Sequence, residues 1–239
     1  SDSSDPAFAP EPIGAEDLAA WQKRFVGAVG PTFDALESAL KSGGEAQAAG
    51  LAALVERREE CIACFTALTG QPVHAMKTRV HGDLHLGQIL VVQNDFHVID
   101  FEGEPARTLE ERRAKGSPLR DLAGMLRSFE YAGSAALLQL ADRDPDGYGR
   151  VLPYAEEWKR LVQGAFMGSY GEAIAGCVSW PEDPAEVDRL LNLFLLDKVL
   201  YEIRYEAANR PAWLRIPMAG LAAILDGAAK AKERALVPA

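Results

Sequence analysis

Two short segments near the middle of the chain hold the side chains best suited to chemistry. Residues 80–88 read VHGDLHLGQ and residues 99–104 read IDFEGE. Phosphoryl transfer from a nucleotide needs a carboxylate that orients an attacking hydroxyl and accepts its proton, together with oxygen ligands that hold Mg²⁺ on the phosphates. Asp83, Gln88 and Asp100 together offer oxygen atoms for both tasks. The two segments therefore predict phosphoryl transfer.

A small β-hairpin is the element that must position these side chains. The apolar, β-branched runs predict strands at residues 78–80, 89–92 and 96–99, and residues 93–95 join the last two strands. Because Gln88 precedes one hairpin strand and Asp100 ends the other, the hairpin brings Asp83 and Asp100 near each other. The order and spacing match the protein-kinase pattern H-R-D-x-x-x-x-N followed by D-F-G, with Gln88 at the Asn position and Glu102 at the Gly position.

The alternative is an acidic hairpin whose carboxylates are only solvated or cap a helix, and the joint order and spacing favour the catalytic interpretation. His81 is predicted to be a structural imidazole that braces the loop by hydrogen bonds. The role of His85 is left open.

Composition excludes several classes of protein. The 239 residues carry 25 Lys+Arg against 35 Asp+Glu, a net charge of −10, and 48% are hydrophobic. A globular chain of one large domain or two small ones is expected, with neither nucleic acid nor membrane as a partner, because both are anionic. Apolar runs such as residues 190–196 are far shorter than the ~20 residues of a bilayer span, and the N-terminus lacks signal-peptide features, so a cytoplasmic location is expected.

The remaining pattern is mostly helical. Residues 1–14 read as a linker or tail, and the fold is expected to start near Ala15. The apolar periodicity predicts a helix marked by residues 18–40 and ended by Gly43 and Gly44. Further helices are predicted over 45–68, 119–140, 151–175, 185–209 and 218–235, with breaks at residues 144–147, 181–184 (Asp183 as N-cap) and 211–217.

The pair Cys61 and Cys64 spells C-x-x-C, a spacing seen in redox sites and zinc sites. No second pair of cysteines or histidines supplies the remaining zinc ligands. Both thiols fall on the predicted helix over residues 45–68, where cysteine behaves as a small hydrophobe. The helical interpretation is therefore favoured, and three cysteines fit a reducing compartment.

Three separated segments carry a family resemblance: HGDLHLGQIL (81–90), NDFHVIDFEGEPARTLEERRAKGSPLRDLAGMLRSFEYA (94–132) and LLDKVLYEIRYEAANRPAWLRIPMAGL (195–221). They closely resemble bacterial maltokinases, particularly the kinase region fused behind trehalose synthase. The resemblance implies an α+β, mostly helical fold, in which residues 15–239 are the C-terminal lobe of an aminoglycoside-phosphotransferase-like kinase with a small β-hairpin carrying the catalytic loop. It further implies ATP-dependent phosphorylation of maltose to maltose 1-phosphate with Mg²⁺.

The resemblance also assigns roles to single residues. It implies that Asp83 is the base facing the sugar hydroxyl and that Gln88 and Asp100 ligate Mg²⁺. Glu102 and Glu104 are expected either to support these three residues from behind or to contact the sugar. Asp121 is similar to the helix-start aspartate that braces the catalytic loop in kinase folds, a role compatible with an N-cap.

A candidate acceptor site lies on the predicted helix over residues 185–209. Lys198, Tyr201, Glu202 and Tyr205 share one helical face, which presents an amine, a carboxylate and two phenols. The alternative is a solvated Lys198–Glu202 pair beside tyrosines of the core, and the resemblance favours sugar binding. Asn209, Arg210 and Trp213 are expected to hold the turn after the helix.

No G-x-G-x-x-G strand-turn, lysine strand or Walker motif occurs in the sequence. We therefore expect an N-terminal lobe that covers the nucleotide to be absent from this chain, and the isolated fragment to be inactive. The basic residues Arg107, Arg112, Arg113 and Lys115 are expected to face phosphate or that lobe, or to form a solvated charge run. Two alternatives stay open: a related sugar kinase of the glucosamine kinase type, and a non-catalytic docking module of a trehalose synthase.

Overall fold

The computed structural model describes residues 4–42, 45–105 and 107–236 and places most of them in α-helices. The chain divides into two compact units. The first consists of Ser1–Pro12 and His74–Val187, and the second of Ile13–Val73 and Asp188–Ala239. The chain passes between the units at residues 12–13, 73–74 and 187–188, whereas the sequence analysis treated residues 15–239 as one lobe.

The first unit contains all four strands and three helices within its described residues. Its elements are β1 (Glu11–Pro12), β2 (Met76–Lys77), β3 (Ile89–Val92), β4 (Asp95–Val98), α4 (Leu109–Arg113), α5 (Leu119–Arg143) and α6 (Pro145–Ile174). The long helices α5 and α6 pack on each other, with Phe129 and Phe166 in edge-to-face contact at 5.6 Å between ring centroids. Their packing gives this unit its core, since Leu119, Leu122 and Leu126 of α5 are buried.

The hairpin lies where the sequence predicted one, with its second strand one residue earlier. β3 and β4 pair antiparallel, Ile89 opposite Val98 and Val92 opposite Asp95. The two turn residues, Gln93 and Asn94, have φ of 50° and 68°, the left-handed conformation that two-residue hairpin turns require. The strand predicted over residues 78–80 is replaced by β2 at Met76–Lys77 and a single bridge from Thr78 to Gly116.

The second unit is a helical cluster. It contains α1 (Ala15–Ser42), α2 (Glu45–Val55), α3 (Arg58–Thr69), most of α7 (Pro184–Asn209) and α8 (Arg215–Leu236). Four rings form its aromatic centre: Phe25 lies 5.5 Å from Phe65 and 6.2 Å from Phe194, and Trp21 lies 5.3 Å from Phe194. The predicted stop of α1 at Gly43 and Gly44 lies outside the described residues.

The helix predicted over residues 45–68 is broken into α2 and α3. The break falls at Arg57, which has a non-helical ψ of 16° and whose guanidinium bridges Glu60 at 2.7 Å and Asp226 at 2.8 Å. The sequence prediction was wrong here because no glycine or proline marks the position. The bend coincides with an ion pair to a residue about 170 positions away.

Two other boundaries differ from the sequence analysis. Residues 11–12 form β1, antiparallel to β2, and Glu11 pairs with Lys77 at 3.7 Å and with Lys115, so the end of the predicted linker is anchored. The expected break between helices falls at Asp144, but α6 starts at Pro145 and not at residue 151, because Asp144 accepts a hydrogen bond from the Gly147 N–H as an N-cap and proline is favourable in the first turn. The predicted N-cap Asp183 of α7 is confirmed by its hydrogen bond from the Ala185 N–H at 2.9 Å.

One window of the described chain, residues 211–230, has the length and apolar composition of a membrane-spanning helix. The sequence analysis did not anticipate it, because its apolar residues are interspersed rather than contiguous. Core helices of globular proteins have the same composition. Leu221 and Leu225 of this window are fully buried, and α8 contacts α2 and α3. A third of the window is buried inside the protein, so it contributes one face to the helical cluster.

Both cysteines of the C-x-x-C pair lie on α3 and are buried, as the helical interpretation predicted. Burial raises the pKa of the Cys61 thiol to about 12 and raises that of Cys64. Within residues 4–42, 45–105 and 107–236, no three His, Cys, Asp or Glu side chains are grouped closely enough to hold a metal ion. The pair therefore packs as part of the core.

We expect Cys61 and Cys64 to resist alkylation in the native protein, because a thiol with a raised pKa forms almost no reactive thiolate at pH 8. Iodoacetamide labelling followed by peptide mass spectrometry measures each site separately. The half-buried Cys177 is the internal control and should label first. Rapid labelling of Cys61 without unfolding would contradict the packing described here.

Candidate active site

The loop between β2 and β3 and the end of β4 bring together the predicted metal ligands. Leu86–Gln88 form a single 3₁₀ turn that leads into β3, and the Ile99 N–H donates to the Gln88 carbonyl at 3.0 Å, extending the hairpin by one pair. The Gln88 amide Nε2 donates to Asp100 Oδ2 at 2.9 Å. Gln88 and Asp100, twelve positions apart in sequence, are therefore in direct contact at the end of the hairpin opposite its turn.

Asp100 has an unusual backbone conformation. Its φ is 64°, in the left-handed region that residues other than glycine rarely adopt. Such conformations cost about 1–3 kcal/mol and cluster at functional sites. This conformation occurs at the residue whose carboxylate accepts a hydrogen bond from the Gln88 amide.

His81 braces the loop from inside, as the sequence analysis expected. The ring is buried, its Nε2 lies 2.8 Å from the Ile99 carbonyl, and its Nδ1 lies 3.3 Å from the Asp83 N–H. These partners assign the proton to Nε2, because the carbonyl can only accept and the amide can only donate. His81 thus ties the residue before Asp100 to the backbone of Asp83.

Asp121, in the first turn of α5, holds the same loop from below. Its two carboxylate oxygens accept hydrogen bonds from the backbone N–H groups of His81 at 2.7 Å and of Gly82 at 2.8 Å. Burial raises the pKa of Asp121, although the two N–H donors oppose that shift. The contact is the one that the sequence analysis expected of this aspartate.

His85, whose role the sequence left open, caps the 3₁₀ turn. Its Nδ1 accepts a hydrogen bond from the Gly87 N–H at 3.0 Å. The Leu86 N–H donates to Ser128 Oγ of α5 at 3.0 Å. Both contacts fix the start of the turn that carries Gln88.

The two glutamates that follow Asp100 have different environments. Glu102 is exposed, and its carboxylate lies 4.0 Å from Arg112. Glu104 is buried and accepts a hydrogen bond from Arg107 Nε at 2.6 Å. Only Glu104 lies within the packed interior of this unit, and Arg107 and Arg112 of the basic run each face a glutamate.

Gly124 permits a close approach that the sequence analysis missed. A Cβ atom at this position of α5 would lie 2.5 Å from the Leu84 carbonyl oxygen, well inside contact distance. The loop between β2 and β3 therefore rests on the backbone of α5. A glycine inside an otherwise apolar helical pattern was the only signal in the sequence.

We expect Gly124→Ala to lower the thermal unfolding temperature, because overpacking costs about 1–3 kcal/mol and exceeds the helix-propensity gain of about 1 kcal/mol. Gly133→Ala is the matched control on the same helix, since its Cβ would meet Trp158 at an ordinary 3.4 Å. Circular dichroism melting of the two variants measures the difference. Equal stability of the two would show that the loop does not rest on α5.

The four candidate acceptor residues belong to α7 in the second unit and form one cluster. Lys198 Nζ lies 5.0 Å from the Tyr201 ring centroid, and the Tyr201 and Tyr205 rings stack at 6.2 Å. Glu202 is buried, whereas Tyr205 is exposed. Lys198, Tyr201 and Tyr205 therefore lie next to one another on α7, and Glu202 of the same helix is buried.

Arg210 extends this face beyond the end of α7. Its guanidinium lies 5.4 Å from the Tyr205 ring centroid and 4.6 Å from that of Trp213, and it forms two hydrogen bonds with the buried Glu206 at 2.6 and 2.9 Å. The Asn209 side chain donates to the Tyr205 carbonyl at 2.8 Å. These contacts hold the turn after the helix, as the sequence analysis expected.

Comparisons with known proteins point to one group of enzymes, although no family model matches the chain. The chain is 28% identical over 214 residues to the glucosamine kinase of Streptacidiphilus jiangxiensis, spanning 90% of this chain and 44% of that protein. It is 30% identical over 217 residues to the glucosamine kinase of Mycolicibacterium smegmatis (strain ATCC 700084 / mc(2)155), spanning 90% and 48%. The chain thus spans about half the length of the curated relatives it matches.

Solved structures of the same kind of enzyme are similar in fold. A glucosamine kinase in one crystal form matches with a TM-score of 0.69 and 26% identity over 94% of this chain and 50% of that one. A glucosamine kinase in complex with glucosamine, ADP and inorganic phosphate matches with a TM-score of 0.69 and 25% identity over 94% and 51%. Each of the two matches covers 94% of this chain.

Proposed function

We propose that this chain is the catalytic and acceptor-binding part of an ATP-dependent sugar kinase that acts in the cytoplasm and whose acceptor is glucosamine. The observation that carries the proposal is the hydrogen bond between Gln88 and Asp100, since it joins the two ligands predicted from the kinase-like pattern in the loop of Asp83. The similarity to glucosamine kinases over 90% of the chain supports the same conclusion.

In this mechanism Asp83 accepts a hydrogen bond from the acceptor hydroxyl and takes its proton as the oxygen attacks the terminal phosphorus of ATP. The new O–P bond forms as the bond to the bridging oxygen breaks, and ADP leaves with that oxygen. Holding the hydroxyl in line is the main task of the protein, because phosphoryl transfer depends on positioning and electrostatic stabilisation. His81 and Asp121 serve this task by fixing the backbone on either side of Gly82.

The residues present fit a magnesium ion. Gln88 and Asp100 offer an amide and a carboxylate oxygen, which are hard ligands of the kind Mg²⁺ prefers, and the hydrogen bond between them orients both groups. When bound there, the ion neutralises charge on the nucleotide phosphates. Glutamine replaces the asparagine of the protein-kinase pattern and reaches one methylene farther.

Glucosamine is a better-supported acceptor than the maltose that the sequence resemblance implied. The two curated relatives described above are glucosamine kinases, and one of the similar structures holds glucosamine. Glu202 suits an amino sugar, because a buried carboxylate beside tyrosines can accept a charge-assisted hydrogen bond from an ammonium group. Lys198 and the two tyrosines offer hydroxyl and ring contacts to any sugar.

The acceptor is tested with the full-length gene product and a panel of glucosamine, maltose and glucose in a coupled assay for ADP. We expect the highest kcat/KM for glucosamine. Preference for maltose would restore the maltokinase interpretation, and no turnover with any sugar would contradict a sugar kinase.

The Glu202→Gln variant tests the acceptor site itself. The change keeps size and hydrogen bonding but removes the charge, so KM for glucosamine should rise about tenfold while KM for a neutral sugar changes little. Glu59→Gln, an exposed carboxylate of α3, is the matched control. An equal rise for all sugars would indicate damage to packing instead of lost charge recognition.

We also propose that a separate nucleotide-covering lobe completes the kinase, because the relatives are about twice as long as the region matched here. The exposed apolar side chains of the hairpin support this, as Val91 and Phe96 are 69% and 70% exposed on opposite strands. A fused trehalose synthase domain stays a prediction of the sequence resemblance.

On this proposal, the 239-residue chain alone should fold but show no measurable sugar phosphorylation. Each unit has its own buried core, whereas nucleotide phosphates in kinases are held jointly by both lobes. Circular dichroism, calorimetry with Mg·ATP and a coupled kinase assay measure the three properties. Robust turnover or tight Mg·ATP binding would contradict the need for a second lobe.

A further inference from the structure

Glu104 is a buried carboxylate that the proposed mechanism does not use. It follows Asp100 by four residues and is 6% exposed. Two arginines face it: Arg107 Nε at 2.6 Å and Arg120 Nη2 at 3.9 Å. A carboxylate removed from water is stable only when it is paired, so the two guanidinium groups account for its burial.

Arg120 connects this carboxylate to the catalytic loop. Its Nη2 donates to the Gly82 carbonyl at 3.0 Å. That carbonyl belongs to the peptide bond between Gly82 and Asp83, and the N–H of the same peptide bond lies 3.3 Å from His81 Nδ1. Both polar atoms of the peptide plane that leads into Asp83 are therefore held by side chains.

The loop also touches the segment of Glu104 directly. Gly82 and Gly103 have φ of 86° and 77°, and a Cβ on Gly82 would lie 3.5 Å from the Gly103 Cα. The backbones thus meet next to the guanidinium of Arg120. In the protein-kinase pattern an arginine stands between the histidine and the aspartate, where this chain has Gly82. A guanidinium group here reaches the loop from α5 instead.

We infer that Arg120 and Glu104 form a positioning pair for the base. Arg120 fixes the peptide plane that sets the direction of Asp83, and Glu104 holds Arg120 in place from the segment that follows Asp100. The pair links the loop that carries Asp83, the proposed base, to the segment that follows Asp100, the proposed metal ligand. This inference rests on the proposed function for its catalytic consequence.

The test uses Arg120→Met, Arg120→Lys and Glu104→Gln in the full-length gene product. Arg120→Met removes the donor to Gly82, so we expect kcat to fall at least about tenfold, as small misplacements of reacting groups do, with KM for ATP and sugar within about twofold. Arg120→Lys retains a donor and should recover part of kcat. Glu104→Gln, of the same size, should lower kcat less than Arg120→Met.

Glu157→Gln is the matched control, because Glu157 forms an exposed ion pair with Arg160 at 2.6 Å in the same unit. A kcat that stays unchanged in folded Arg120→Met, or a loss that Glu157→Gln reproduces, would overturn the pair. If Arg120→Met does not fold, an unchanged kcat in Glu104→Gln would overturn it equally.

Hydrogen exchange gives a readout that does not depend on activity. The amides of residues 81–88 should lose protection in Arg120→Met and regain it in Arg120→Lys, while the centre of α5 stays protected. Unchanged protection of the loop would overturn the positioning role even if no sugar is phosphorylated. An inactive wild-type enzyme with the expected exchange pattern would instead contradict only the proposed function.

Discussion

Replacement of Asp83 by asparagine should lower kcat at least about 100-fold and leave Mg·ATP binding nearly unchanged. An amide cannot take up the proton of the sugar hydroxyl. A positioned general base typically increases the reaction rate about 100- to 10,000-fold. Loss of an interaction that is made only in the transition state lowers kcat and kcat/KM together. Steady-state kinetics on the full-length gene product and calorimetry with Mg·ATP separate the two effects.

Asp95→Asn is the matched control for this variant. It makes the same chemical change on an exposed aspartate at the start of β4, whose carboxylate contacts its neighbour's N–H. Near-wild-type turnover in Asp83→Asn would remove Asp83 from the mechanism. It would also favour the alternative in which the chain is a non-catalytic docking module.

Replacement of Asp100 by asparagine should raise the Mg²⁺ concentration needed for half-maximal activity about tenfold or more, besides slowing turnover. The carboxylate is the only charged group of the proposed ligand pair, so its loss weakens binding of a divalent cation. Asparagine tolerates the left-handed backbone that Asp100 adopts, which isolates the effect of charge from that of conformation.

Titration of activity with Mg²⁺ at a fixed, saturating nucleotide concentration measures this effect. Asp100→Ala serves as a second variant, because it removes the oxygen ligand altogether and should be more severe. A metal dependence equal to that of the wild type in both variants would defeat the assignment of Asp100 as a ligand.

The parts of the fold that the sequence predicted are those encoded locally. The hairpin followed from β-branched runs around a polar turn, and the start of α7 followed from Asp183 before Pro184. The break between α2 and α3 was missed because Arg57 meets Asp226, a partner that only the folded chain brings near. Strand β1 was missed because two residues carry no periodicity.

In the candidate site, too, the sequence predicted some contacts and missed others. A pattern of fixed spacing was sufficient to predict that Gln88 and Asp100 belong together, and Asp121 followed from the resemblance. Arg120 and Glu104 gave no signal as a pair, since charged residues sixteen positions apart usually form no contact. Our preference for glucosamine over maltose comes from the relatives, because residue spacing does not encode which sugar is bound.

The hairpin that carries the candidate site also affects the colloidal behaviour of the protein. Within the described residues β3 and β4 form a sheet of only two strands, so each presents an unpaired edge, and both expose apolar side chains. Such ribbons pair readily with one another between molecules. With a net charge of −10, mutual repulsion opposes that pairing. Salt shortens the range of this repulsion to about 10 Å at 0.1 M. We therefore expect self-association to increase with ionic strength in any preparation in which β3 and β4 are exposed to solvent.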